Sequence, residues 1–384
     1  MKIFHTSDWH IGKIVNNYSM ISDQTYILDK FIDLVEEEKP DAIIIAGDLY
    51  DRPIPHKLAV KLLNNTLTEL VINKKIPVFA ISGNHDSGAR VGFGSDILRK
   101  AGLYIAGDTL YDKIELSKNN KSFHFYLVPY TEPTIFRSKY NDIKTHQDCM
   151  EFIVNKIKTN MNPLATNILV GHAYVSKIGS DTVIKSESEK PLSIGDAEVI
   201  DYSIFNDFDY VALGHLHGRQ YVGRPEIRYS GSLLKYSFSE VTQIKGINKV
   251  EINGKDVQVT YMELKPKKDF KIIKGTLEEL TQQARAAENK TGKQNKDYIH
   301  AILMDEEELI NPIMALRKLY PNIMSLEKIR DNKEFNLNTD RDYKIKSPVQ
   351  LFEEFYNSHT NYIYTLKKQQ YVTDVIEEVQ RGEL

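Results

Sequence analysis

Near its amino terminus the chain reads HTSDWHIG, with Asp8 and His10 two residues apart, just after the apolar pair Ile3-Phe4. The same event recurs downstream. GDLYD supplies Asp48 and Asp51, GNHD supplies Asn84, His85 and Asp86, GH supplies His172, and GHLH supplies His215 and His217. Each set alone is ordinary turn or cap chemistry. The ordered series is not, because five of the chain's 11 histidines fall in it. Carboxylate, imidazole and amide oxygen together suit divalent transition metals such as Mn²⁺, Fe²⁺ or Zn²⁺. No thiolate joins them, which excludes a cysteine-type structural zinc site. The donors exceed what one ion needs, and two ions sharing a carboxylate would use them well. Two metals roughly 3.5–4 Å apart clamp a phosphate and activate a water between them.

Such donors need rigid elements to aim them. Each motif closes a short apolar run: residues 41–46 (DAIIIA), 76–81 (IPVFAI), 166–172 (TNILVGH) and 208–215 (FDYVALGH). Ligand sites in α/β sheets collect at the carboxyl ends of strands, and glycine lets the backbone turn sharply there. Between the runs lie helical spacings: Tyr26, Ile27, Phe31, Leu34 and Val35, then Leu58, Leu62, Leu63, Leu67 and Leu70. Apolar strands alternating with helices predict an α/β sandwich with covered sheets. Residues 123–130, 227–232 and 257–264 also read as strands.

The chain has 384 residues, enough for two or three domains. A net charge of −3 neither demands nor excludes a polyanionic partner. The one cysteine, Cys149, rules out a disulfide framework and reads as a small buried hydrophobe. Neither a signal segment nor an apolar run long enough to span a membrane is visible, so a cytoplasmic protein is expected. Composition shifts at KPKKD, residues 265–269. Beyond it a small α+β domain is expected at 269–330, with Thr276 and Glu279 as a capping box and Asn311-Pro312 opening a second helix. Residues 331–346 read as a polar linker. Residues 347–384 read as two amphipathic helices that dock on a partner, the alternative being that they pack on their own chain, with Leu351, Phe352, Phe355 and Tyr356 on one face.

The motif set resembles the calcineurin-like metallophosphoesterase superfamily, and within it the nucleases that process DNA double-strand ends. HTSDWHIGK, GDLYDRPIP, YSGSLLKYSFSE (229–240) and the tail pattern SPVQLFEEFYNS carry the resemblance, which is strongest before residue 240. It implies a two-sheet β-sandwich flanked by helices over residues 1–265, an α+β DNA-capping domain and a helical tail. It implies one ion on Asp8, His10, Asp48 and His217, and a second on Asp48, Asn84, His172 and His215, with Asp48 bridging and Mn²⁺ as the metal. His85 matches the family's catalytic histidine, which steers the phosphodiester or protonates the leaving 3′-oxygen. Asp51 and Asp86 stand where residues that orient imidazoles belong. Lys13, Arg52 and Arg90 lie just beyond the first three motifs and are candidates to meet DNA phosphates. Trp9 either packs in the core or borders the site. The resemblance further implies 3′→5′ exonuclease activity on duplex DNA, endonuclease activity on hairpins and single strands, a homodimer through the nuclease domain, and an SMC-like ATPase on the tail. Protein phosphatases and cyclic-nucleotide phosphodiesterases share the same motifs and are the alternative. A non-catalytic scaffold is disfavoured because no ligand is missing.

Overall fold

The computed structural model describes residues 1–137, 143–177, 183–189, 199–305, 307, 309–328, 348–359 and 364–381. The expected linker, 331–346, lies outside them. The chain divides into two compact units, Met1–Ile329 and Arg330–Leu384.

Most of the first unit is built on twelve strands: β1 (Lys2–Thr6), β2 (Ala42–Ile45), β3 (Val78–Ile81), β4 (Leu103–Ala106), β5 (Asp112–Lys118), β6 (Lys121–Val128), β7 (Thr166–His172), β8 (Tyr210–Gly214), β9 (Gln220–Val222), β10 (Arg224–Tyr229), β11 (Gly246–Asn253) and β12 (Asp256–Glu263). They form two six-stranded sheets, ordered β12-β11-β1-β2-β3-β4 and β9-β10-β8-β7-β6-β5. β1 to β4 run parallel, as do β6, β7, β8 and β10. Their carboxyl ends therefore open on common rims.

The continuous apolar runs follow from burial on both faces. In β2, Ile44 and its neighbours Ala42 and Ala46 meet the second sheet, while Ile43 and Ile45 turn outward under helices. Phe79 of β3 stacks on Phe125 of β6 across the inter-sheet layer, with centroids 4.2 Å apart. Helices α1 (Ile21–Glu38) and α2 (Lys57–Thr68) cover the outer face of the first sheet through Ile27, Leu28, Phe31, Val35, Ala59 and Leu63. Leu58 departs from the expected apolar stripe and is exposed. A π turn at Glu69–Asn73 follows α2 and carries the buried Leu70. Helix α3 (His146–Lys158) covers the second sheet, with Cys149 buried and unpaired. Trp9 is core: it is buried edge-on to Phe31, and its indole N–H donates to Thr6 Oγ1 at 2.9 Å.

A smaller parallel sheet follows, with β14 (Tyr298–Leu303) between β13 (Phe270–Gly275) and β15 (Ile323–Lys328). Helices α4 (Leu277–Thr291) and α5 (Pro312–Arg317) close its own core through Leu280 and Leu316, with Tyr320 just beyond α5. Thr276 and Glu279 form the reciprocal capping box. Asn311 differs from expectation. It sits in the left-handed region and makes no side-chain cap, so Pro312 with its preset φ opens α5. The Tyr298 hydroxyl donates to Asp23 of α1 at 2.7 Å, and Phe270 packs on Phe238, tying this sheet to the sandwich.

In the second unit, α6 (Pro348–His359) packs the rings of Phe352 and Tyr356 on Tyr364, which just precedes α7 (Leu366–Arg381). Phe355, Leu366 and Tyr371 stay exposed. Among the described residues no helix is long and apolar enough to cross a membrane.

Candidate metal centre

The sharp turns after β1, β2 and β8 put non-glycine residues in the left-handed backbone region. Asp8 has φ 54°, His10 φ 44°, Asp48 φ 51° and His215 φ 110°. Such conformations cost of order 1–3 kcal/mol each and persist only where the surroundings over-determine them. Here the surrounding sheets supply that, and the turns aim the side chains back across the sheet ends. Gly83 shows how close the approach is: a Cβ there would lie 2.1 Å from Asp48 Oδ1.

Asp48 stands at the middle. Its Oδ2 lies 3.5 Å from His10 Nε2 and 3.4 Å from His172 Nε2. His10 Nε2 faces His217 Nε2 at 3.0 Å, and His172 Nε2 faces Asn84 Oδ1 at 2.9 Å. The His215 ring lies 5.6 Å from that of His172, and its backbone N–H donates to Asp8 Oδ1 at 3.0 Å. Donor atoms of Asp8, His10 and His217 converge, as do those of Asp8, Asp48 and His172. A third convergence joins His10, Asp51 and His85. All the residues expected to bind metal are thus in one largely buried cluster, with Asp48 between the two halves.

Charge is hard to place in this site without an ion. Burial holds His10 and His215 well below the ordinary imidazole range. Burial also disfavours a charged His172, yet the Asp48 carboxylate raises it to about 9. Burial opposes ionisation of Asp48, but His172 and His10 hold it well below the carboxylate range. His10 Nδ1 is buried with no hydrogen-bond partner among the described residues. The opposed nitrogens of His10 and His217 must share a proton to sit at 3.0 Å. Metal ligands must be deprotonated, and a bound cation replaces such shared protons. The nitrogen and oxygen donors fit divalent ions of the manganese-to-zinc kind.

The groups that orient the imidazoles differ from those expected. Among the described residues Asp86 bonds to no imidazole. It accepts N–H bonds from Leu49, Tyr50 and Gly83 at 2.9–3.0 Å, tying the Asp48 turn to the Asn84 turn. Burial and the nearby Asp48 raise its carboxyl to about 7. Asp51 pairs with Lys13 at 2.8 Å and lies 3.8 Å from His10 Nδ1, beyond hydrogen-bond reach. His172 Nδ1–H donates to the Ala46 carbonyl at 2.9 Å. His85 Nδ1–H donates to the Asp51 carbonyl at 3.0 Å, and its backbone N–H to Asp48 Oδ1 at 2.9 Å. Its ring lies 4.7 Å from that of His10, at the edge of the cluster.

For His217 the orienting group is Glu240, which motif spacing did not single out. Glu240 is fully buried. Its Oε1 lies 3.2 Å from His217 Nδ1 and accepts from Ser188 Oγ at 2.5 Å, while Ser188 Oγ is 2.6 Å from the same nitrogen. Lys245 Nζ sits 2.6 Å from Glu240 Oε2 and donates to the His217 carbonyl at 2.8 Å. Burial works against a charged His217, but Glu240 outweighs it and raises the imidazole. The only sequence signal was position: Glu240 ends the stretch YSGSLLKYSFSE. Of the expected DNA cations, Lys13 and Arg52 both pair with Asp51, at 2.8 Å and 3.6 Å, and Arg52 and Arg90 are exposed.

A two-sheet sandwich with Asp, Asn and His at its strand ends defines a class, and the comparisons give the same one. The profile of the calcineurin-like phosphoesterase family matches residues 1–219, and the chain belongs to that family. Within it the chain is a homologue of the SbcD subunit of the SbcCD nuclease of Staphylococcus saprophyticus. The two are 38% identical over 372 residues, covering 94% of this chain and 93% of that protein. A second profile, the type 5 capsule protein repressor C-terminal domain (SbcD_C), matches residues 266–360. Solved structures of a Thermus thermophilus protein and of a dimetal phosphatase from Danio rerio each match at 12% identity over 68% of this chain. They cover 98% and 99% of those chains, with TM-scores of 0.40 and 0.39.

Proposed function

We propose that this metallophosphoesterase is the nuclease subunit of an SbcC–SbcD-type complex and hydrolyses DNA phosphodiesters at double-strand ends. One observation carries the reading: a single oxygen, Asp48 Oδ2, stands 3.5 Å and 3.4 Å from imidazoles of the two halves of the donor cluster. Asp8, His10, Asp48 and His217 would hold one divalent ion, Mn²⁺ in our reading, and Asp48, Asn84, His172 and His215 the other. Bound there, the pair would polarise a phosphodiester and make water nucleophilic at neutral pH.

The chain's own groups do the rest. Glu240, the Ala46 carbonyl and the buried sheet ends hold the imidazoles in one orientation. His85, with Nδ1–H committed to the Asp51 carbonyl, turns Nε2 away from that bond. There it would steer the phosphodiester and, when Nε2 also carries a proton, pass that proton to the leaving 3′-oxygen. Asp86 ties the two turns that carry Asp48 and Asn84. Lys13, Arg52 and Arg90 meet DNA phosphates at the rim.

The finer proposals follow the resemblance and the homologue's name. The enzyme acts as a 3′→5′ exonuclease on duplex ends and an endonuclease on hairpins and single strands, in the cytoplasm at the nucleoid. Residues 1–265 form the nuclease domain and its homodimer contact, and 269–330 cap the DNA. The tail, 347–384, binds the SbcC-type SMC-like ATPase through its unburied apolar side chains.

The test is cleavage of a labelled linear duplex with a hairpin end, with Mn²⁺ and then with EDTA. Manganese-dependent cleavage is expected. His85→Ala should keep bound metal and lose cleavage by about 10²–10⁴-fold, the range for removing a proton-transfer group. Hydrolysis of a phosphoprotein with no action on DNA would assign the site to a phosphatase instead. Loss of metal in His85→Ala would make His85 a ligand.

A further inference from the structure

A cleft of about 650 Å³ lies where the outer edges of the two sheets meet, lined by Lys177, Arg219, Tyr221, Arg228 and Tyr261. β9, carrying Tyr221, is the edge strand of one sheet, and β12, carrying Tyr261, is the edge strand of the other. The cleft adjoins the metal centre along the chain: Arg219 follows the ligand His217 by two residues, and Lys177 follows His172 by five. Among the described residues no carboxylate lines it.

Its two arginines are set against aromatic rings. The Arg219 guanidinium stacks 4.0 Å from the Tyr261 centroid, and Arg228 lies 5.7 Å from that of Tyr221. Closer to the site, Lys185 lies 4.2 Å over Tyr174, whose ring is 6.3 Å from that of His215. Arg219 is exposed and makes no ion pair among the described residues. Tyr221 is 58% exposed. A stacked guanidinium keeps its N–H edges available in a fixed plane, which suits phosphate. An exposed tyrosine beside it offers a face to an unpaired base. Cations alternating with aromatics form the surface that takes single strands, and paired bases cannot reach such a face.

We propose that this cleft holds a single DNA strand next to the metal centre, with phosphates on Lys177, Arg219 and Arg228 and a base stacked on Tyr221. The proposal rests on the nuclease reading and gives it a path for an unpaired strand.

The test measures binding of a fluorescein-labelled oligothymidylate and of a blunt duplex to the full chain in EDTA, by anisotropy over a salt series. Tyr221→Ala should weaken single-strand binding on the order of tenfold, as loss of one stacked base does. Tyr221→Phe should restore it, which a folding defect would not allow. Arg228→Ala should flatten the slope of log K against log salt by about 0.7. Unchanged single-strand affinity and slope in these variants would overturn the cleft and leave the nuclease reading standing. Equal weakening on duplex and single strand would overturn the single-strand assignment. If the unaltered chain bound neither DNA, the nuclease reading itself would fall.

Discussion

Glu240→Gln separates the metal centre from the scaffold behind it. The carboxylate is fully buried and serves His217, Ser188 and Lys245 at once, at 3.2, 2.5 and 2.6 Å. An amide keeps the shape but supplies one acceptor where two are used, and turns an N–H toward a donor. Two effects follow. His217 loses the partner that keeps its proton on Nδ1 and its Nε2 toward the ion. Such outer partners are worth about 10–100-fold in metal affinity, or roughly 1.4–2.7 kcal/mol. Lys245 is left as an uncompensated buried cation, and breaking a buried pair costs about 3–5 kcal/mol. The double variant Glu240→Gln/Lys245→Met removes the stranded charge. Stability in urea should fall in the single variant and return in the double. Affinity for Mn²⁺, measured by calorimetry, should stay low in both. Affinity equal to that of the unaltered chain in the folded double variant would refute Glu240 as a positioning residue. Affinity recovering in step with stability would refute it too.

Other outcomes are as specific. Gly83→Ala places a Cβ 2.1 Å from Asp48 Oδ1, so bound metal measured by mass spectrometry should fall while far-ultraviolet dichroism is retained. Phe79→Ala removes one half of the inter-sheet stack and should cost about 3–5 kcal/mol in urea unfolding, with metal stoichiometry unchanged. His5 is buried between the Tyr210 hydroxyl and the Leu213 carbonyl, and burial lowers it from 6.5 to about 3. The unfolded chain therefore binds a proton that the folded one refuses. This term is fully present above pH 6.5 and is lost as pH falls toward 3, by about 5 kcal/mol at most. In EDTA, His5→Gln should flatten the fall of unfolding free energy across that window, and an unchanged slope would exclude His5.

The donors were legible in the sequence because their signals are local. An apolar strand reads as a run of like residues, and the turn that closes it must be glycine, aspartate, asparagine or histidine whatever lies across from it. The strand ends that present Asp8, His10, Asp48, Asn84, His172, His215 and His217, with His85 beside Asn84, are readable that way, and the helices between them by their period. Leu58 shows the limit: it fits the helical stripe yet faces out, because among the described residues no element covers that side of α2. Asp86 shows another. Its type and place fit a partner for imidazole, but its geometry serves three backbone N–H groups.

What the sequence determined by itself was the kind of atoms that meet a ligand and the strand ends that present them. Tertiary structure alone decided how those atoms are held. Glu240 and Lys245 reach His217 from 23 and 28 residues away, and no periodicity links charges that meet only when two sheets close. The same holds for Tyr221 and Tyr261, which share a cleft only because both sheets end at the same edge. Spacing along the chain records what each strand presents. Distance across the fold is set by packing, so the outer partners, the left-handed turns and the cleft exist only in the assembled sandwich.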